Sequence, residues 1–166
     1  MTRLLLALLI APALCWGYPD LPDATVTPGA TNPDVTQANI KQTICVSGWT
    51  KTIRPKSSYT TKLKLKQLAS GPYQSDLGPA AFEEDHRLSL EVGGNPTDER
   101  NLWPQLWNPP DGKGAHMKDQ LENAIKRKIC SNELTLDEGQ AVLLGDWTEG
   151  YVKYVKAPKY SKQITK

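Results

Sequence analysis

Apolar residues recur at helical spacing downstream of Lys113 or Gly114, where Met117, Leu121, Ala124, Ile125 and Ile129 form one stripe. That spacing predicts an amphipathic helix ending at Ile129. Asp111 is a candidate N-cap, and Lys126, Arg127 and Lys128 crowd the far end, where the helix dipole favours cations. A shorter helix is predicted from Leu136 to Gly145, burying Leu136, Ala141, Val142 and Leu144 or its neighbour. Ala80 to Val92 reads differently: Leu88, Leu90 and Val92 alternate with Arg87, Ser89 and Glu91, the period of a half-buried strand. Gly93-Gly94-Asn95-Pro96 breaks it, and Asn101 to Pro104 resumes an apolar run able to pair back as a second strand. Ser58 to Ala69 fits neither period cleanly. Ser57 or Ser58 as N-cap and the leucine spacing favour a short helix, which Gly71-Pro72 ends.

Outside these elements the chain is irregular. Tyr18 to Asn39 is rich in Pro, Asp, Thr and Gly and has no sustained period, as expected of an arm wrapping the domain or a partly ordered leader. Ile44 to Trp49 is a candidate short strand or anchor. Met1 to Gly17 carries one cation and an apolar run from Leu4 to Leu14, too short to span a bilayer, so it reads as a secretory signal peptide cleaved near Gly17 and Tyr18. A lipoprotein reading through Cys15 is weaker, because bulky Leu14 precedes the cysteine. The expected organisation is a signal peptide over 1–17, an arm over 18–43, one domain over 44–150 and a basic tail over 151–166. The fold class is α+β, a small β-hairpin and helix with further helices.

Composition changes this picture little. The chain has 166 residues, enough for one well-packed domain, and loss of Arg3 with the leader takes the formal charge from +2 to +1. Distribution says more than the net value. Lys51, Arg54, Lys56, Lys62, Lys64 and Lys66 fall in one stretch without an acid, and the tail interleaves lysines with Tyr151, Tyr154 and Tyr160. Such stretches suit a phosphate backbone and stacked bases, or equally a solvated face and a loose terminus. Of three cysteines, Cys45 and Cys130 survive processing and are expected to form one disulfide in an oxidising compartment.

The chemistry concentrates in EEDHRLSLEVGGNPTDERN, Glu83 to Asn101, which holds one of the two histidines behind three carboxylates. The other, His116, lies in the first turn of the long helix, and Asn101 stands fifteen residues from each. Asp85-His86, Leu90, Gly93-Gly94, Asp98 and Asn101 together resemble the HNH endonuclease pattern, an acid–His pair followed by a Gly-Gly turn and a D-x-x-N loop. GAHMKDQLENAIKRKICS downstream and the arm with TICVSGW are similar to secreted bacterial proteins of that type, so the likeness extends over most of the mature chain. The motif itself occupies only Glu83 to about Asn123.

The resemblance implies His86 as general base, Asn101 holding the histidine-bearing loop, and Asp85 and His116 as ligands of a divalent metal, with Mg²⁺ first and Mn²⁺, Ni²⁺ or Zn²⁺ as alternatives. Asp119 and Glu122 are alternative carboxylates, while Arg87, Arg100 and Lys118 lie within sequence reach of substrate phosphates. The implied activity is hydrolysis of DNA or RNA, which needs an activated water and a stabilised leaving oxygen; a neutral imidazole and a divalent cation supply these. Three departures stand out. Paired C-x-x-C knuckles are missing, Ser89 replaces a frequent Pro, and the position of His116 is often Asn in relatives. The competing readings are a nucleic-acid or polyanion-binding module without turnover, and a cell-envelope interaction protein in which Asp85 and His86 are structural.

Overall fold

The computed structural model describes residues 18–156, so the leader and the last ten residues of the tail lie outside it. Element order is α1 (Trp49–Ile53), α2 (Ser57–Ala69), β1 (Phe82–His86), β2 (Leu102–Leu106), α3 (Ala115–Cys130), α4 (Leu136–Leu144) and α5 (Trp147–Tyr151), with short 3₁₀ turns between. The two strands form one antiparallel sheet, Phe82 opposite Leu106 and His86 opposite Leu102. The α+β class therefore holds.

The stripe of α3 is the centre of the core. Leu121, Ala124, Ile125 and Ile129 are buried on it, as their spacing requires. Leu121, Ile125 and Ile129 meet Val35, Ile40 and Ile44 from the N-terminal segment, Leu88 and Val92 from the loop after β1, and Leu136, Leu143 and Trp147 from α4 and α5. On the other side of the domain α2 buries Leu63 and Leu68 and packs on the sheet, while Gln67 donates to the Leu102 carbonyl at 2.9 Å. The arm is ordered along the surface. Tyr18 Oη donates to the Pro104 carbonyl, Gly29 N–H to that of Arg100, and Thr31 bridges Gly94.

Four expectations need correction. The first strand spans five residues only, and Leu90–Val92 is a 3₁₀ turn whose leading Ser89 Oγ accepts from Glu91 N–H. Leu90 and Val92 alternate because both turn into the core from that loop. Asp111 does not cap α3. Its carboxylate accepts from Lys113 N–H in a turn one step upstream, and Gly114 is the cap. The face that α4 buries is Leu136, Gly139, Gln140 and Leu143, an i, i+3, i+4, i+7 set that leaves Ala141 in solvent. The segment Ile44 to Trp49 is a series of turns leading into α1 rather than a strand.

The region expected as a loose tail begins inside α5 and continues as a π-helical turn, Val152–Lys156. There Lys153 lies over the Tyr154 ring and Lys156 over Tyr151, so these aromatics are engaged by neighbouring lysines.

Cys45 and Cys130 form the disulfide, joining the segment before α1 to the end of α3 across 85 residues. Lys41 Nζ donates to the Cys130 carbonyl beside it. Among the described residues no helix is long and apolar enough to cross a membrane. Closing a loop of this size restricts the unfolded chain, so replacing both cysteines by alanine is expected to lower stability by about 2–4 kcal/mol in urea titrations. An unchanged midpoint would mean that the crosslink does not constrain the unfolded chain.

Candidate active site

The site is organised by the loop between the strands, and that loop by one amide. Asn101 is fully buried. Its Oδ1 accepts from Leu88 N–H at 2.9 Å and from Ala30 N–H at 3.3 Å, and its Nδ2 donates to the carbonyls of Leu88 and Asn95. Two donors and two lone pairs are all used, the full capacity of an asparagine side chain. By holding both backbone polar groups of Leu88, Asn101 ends the strand ladder just past His86 and turns the chain away. Gly94 lies where the chain passes close to itself: a Cβ there would stand 1.7 Å from the Leu88 carbonyl oxygen. Gly93 before it has φ +83°, a left-handed turn that glycine takes freely.

His86 ends β1 and is 5% exposed. Its Nε2 lies 3.0 Å from the Pro96 carbonyl oxygen, which can only accept, so Nε2 carries the proton and Nδ1 the lone pair. Burial holds the imidazole below its ordinary pKa; Lys118 and Arg54 push the same way, while the Pro96 bond and Asp85 oppose. The ring is neutral at pH 7. It lines a cleft of about 360 Å³ together with Arg54, Lys64, Phe82, Glu84 and Trp107, and with Ser57 and Thr60 of α2.

Strand alternation puts Phe82, Glu84 and His86 on one face of β1, Glu83 and Asp85 on the other. Glu84 is 9% exposed, and neither of its carboxylate oxygens has a hydrogen-bond partner. Burial first, then Asp85, pushes its carboxyl up to about 8, against the pull of Lys64. Lys64 itself donates to the Phe82 carbonyl at 2.7 Å.

On the opposite face an ion network joins β1 to α3. Lys118 is 1% exposed. Its ammonium donates to Asp85 Oδ2 and to the His86 carbonyl, both at 2.8 Å, and to Glu122 Oε1. Ser89 Oγ donates to the other Glu122 oxygen at 2.7 Å, tying the loop into the same network. Burial works against the Lys118 charge, yet Asp85 and Glu122 overcome it and hold the ammonium above the ordinary lysine pKa. Glu122 is raised by its own burial, which Lys118 opposes. Glu83 rises to about 8, through burial first and then repulsion from Asp85, Asp119 and Glu122.

The expected residues therefore separate into groups. Asp85 and His86 end β1 on its opposite faces, and Asn101 holds the loop that follows them. Lys118 joins them from α3, but as an internal cation: its three protons are used and it is sealed from solvent, which corrects its placement as a phosphate contact. Arg87 is likewise occupied, donating to the Thr27 and Leu144 carbonyls at 2.9 and 2.6 Å, and so clasps the arm to the end of α4. Arg100 is exposed and paired with Asp98 at 2.6 Å. His116 is exposed on α3, its ring 5.1 Å from that of Trp107. Among the described residues no three His, Cys, Asp or Glu side chains are grouped to hold a metal, so Asp85 and His116 do not head a ready-made cage. A hard, hydrated cation of magnesium type needs less, one or two carboxylates with water and phosphate oxygens. The crowding of Glu83, Asp85 and Asp119, which also pushes the Asp119 pKa up after burial has done so, fits such an ion at Asp85.

Motif reasoning overlooked Glu84, and it read Arg54 and Lys64 only as part of a basic stretch. The strand period was the available signal for Glu84, since position 84 shares the face of His86.

Two tests address these groups. Removing the Lys118 ammonium leaves two buried carboxylates without their cation, so Lys118→Met is expected to cost about 3–5 kcal/mol in urea unfolding. Glu84 binds its proton more tightly folded, at about 8, than at its ordinary 4.5. The stability linked to that proton is complete below about pH 4.5 and is lost as pH rises to 8. Glu84→Gln should therefore raise the melting temperature over wild type by more at pH 8 than at pH 5, in EDTA; a gain equal at both pH values would refute the shift. Comparison with protein-family models, with curated proteins and with solved structures finds no match for the chain.

Proposed function

We propose that this chain is a metal-dependent endonuclease of HNH type, secreted or periplasmic, which hydrolyses phosphodiester bonds in DNA or RNA. The observation that carries the reading is the state of His86. Its Nε2–H is held by the Pro96 carbonyl, its ring is neutral, and it lines an open cleft. A general base needs that combination of a fixed tautomer, an available lone pair and reach to water. Nδ1 takes a proton from a water in the cleft, the resulting hydroxide attacks phosphorus, and the bond from phosphorus to the leaving oxygen breaks.

The other residues act through position and charge. Asn101 is a positioning residue: it fixes the loop that carries the Pro96 carbonyl, and with it the imidazole plane. Arg54 and Lys64 at the cleft, backed by Lys56 and Lys62, give a polyanion its electrostatic approach. Arg100 is open to a more distant phosphate. Asp85 would hold a divalent cation, Mg²⁺ in the first place, and such an ion would supply neutralisation of the charge that develops on the departing oxygen. The disulfide supports export to an oxidising compartment.

Plasmid DNA and RNA incubated with the oxidised protein and Mg²⁺, Mn²⁺, Ni²⁺ or Zn²⁺ should be cut, and EDTA should stop the reaction. His86→Ala is expected to lower the rate by roughly 10²–10⁴-fold with an unchanged fold. Cleavage that survives both EDTA and His86→Ala would sink the mechanism. Salt-sensitive binding without cleavage under any of the four metals would leave a nucleic-acid-binding module instead.

A further inference from the structure

We propose that the N-terminal turn of α2, with Arg54 just before it, seats a backbone phosphate of the substrate. The inference takes the identity of the ligand from the nuclease reading and adds the element that holds it. Ser57, Thr60, Thr61 and Lys64 all line the cleft, spaced i, i+3, i+4 and i+7, so one whole face of α2 turns toward His86. Arg54 lines the cleft from the residue run that leads into the helix. The α2 face thus offers three hydroxyls and an ammonium, and no acid. Thr60 Oγ1 is used on the Ser57 carbonyl, but among the described residues the Ser57 and Thr61 hydroxyls and the Arg54 guanidinium have no hydrogen bond or ion pair.

The backbone points the same way. Helix α2 runs for 13 residues, no side chain caps it, and its first turn holds no acid. The N–H groups of Ser57 and Ser58 precede the first helical bonds and donate to nothing among the described residues. Arg54 and Lys56 stand just upstream, so two cations meet the positive end of the helix dipole. That arrangement costs stability until an anion lies there. His86 is an independent sign of a ligand in the same cleft. It is 5% exposed, its Nε2 is held by Pro96, and its Nδ1 has no partner among the described residues. A neutral acceptor facing cations and free amides suits a phosphate with its attacking water: the oxyanion goes to α2 and the water to the imidazole. The two acids bordering the cleft do not oppose this. The Glu84 oxygens are sealed from solvent, and Glu83 turns by strand alternation to the face of Asp85.

Two substitutions at the helix start separate binding from folding. Ser57→Pro removes an N–H and a hydroxyl at the first helical position without changing charge. Proline fits there, and Lys56 before it already has φ −61° and ψ 141°, the extended geometry a following proline requires. Ser58→Glu puts an acid in the first turn, which favours the helix but repels a phosphate. Binding of a labelled oligothymidylate to the oxidised protein in EDTA is followed by fluorescence anisotropy, with inorganic phosphate as competitor. Both variants are expected to keep or raise the melting temperature. Affinity should fall at least about fivefold in Ser57→Pro and at least about tenfold in Ser58→Glu. Lys66→Gln, the same change of charge at the far end of α2, should cost less than about twofold. Should Ser57→Pro not fold, the contrast between Ser58→Glu and Lys66→Gln decides. Unchanged affinity in a folded Ser57→Pro, equal losses in Ser58→Glu and Lys66→Gln, or no oligothymidylate binding would each overturn the proposal, even if nucleic acid is cut. Inorganic phosphate that binds without displacing the oligothymidylate would overturn it too, since the seat would then serve a free anion. The expected losses in a protein that cuts nothing under any metal would keep the seat and remove only the nuclease reading.

Discussion

The arrangement around His86 depends on the side chain of Asn101. A single amide with its four hydrogen bonds takes the place of a strand partner for Leu88, accepts from the arm at Ala30 and donates to the loop at Asn95. No other side chain of similar size combines two donors with an acceptor of two lone pairs on a planar group. Aspartate would present acceptors to the carbonyls of Leu88 and Asn95, and leucine would leave four buried backbone groups without partners. The loop that brings the Pro96 carbonyl to His86 exists because that amide sits in its middle, and the missing Cβ of Gly94 lets the chain close around it.

A second constraint acts from the other face of β1. Lys118 stands between Asp85 and Glu122, and its third proton goes to the His86 carbonyl. Position 86 is thus gripped twice, by its ring through Pro96 and by its backbone through α3. Buried ion networks of this kind contribute little net stability compared with apolar packing, but they penalise every alternative arrangement of the same groups. Here the penalised alternative is a rotation of α3 or a slip of β1, since either would strand charge in the interior.

What was legible in the sequence followed periodicity and covalent chemistry. The α3 stripe, the pairing of Cys45 with Cys130 and a hairpin turning after Gly93-Gly94 could all be read from spacing and residue type. The misreadings have physical causes. Leu88, Leu90 and Val92 alternate like a strand, but side-chain hydrogen bonds from Asn101 and Ser89 compete with the ladder and win. Lys118 looked like a surface cation because a lone lysine on a helix generally is one; only the fold shows two carboxylates converging on it. Glu84 was passed over because three acids in a row read as a solvated cluster, although burial treats them separately: Glu84 lines the cleft with His86, Asp85 pairs with Lys118, and Glu83 shares the face of Asp85.

Arg87 also sets an order on assembly. Its guanidinium joins Thr27 to Leu144, far apart along the chain, and stands one residue from His86. The first of these partners leaves the ribosome long before the last. The segment carrying the imidazole therefore lacks its final clasp until Leu144 has been made, and the long sequence separation of the contact puts it among the slow, late steps of folding. A chain still in transit holds every residue of the site but not the geometry that joins them.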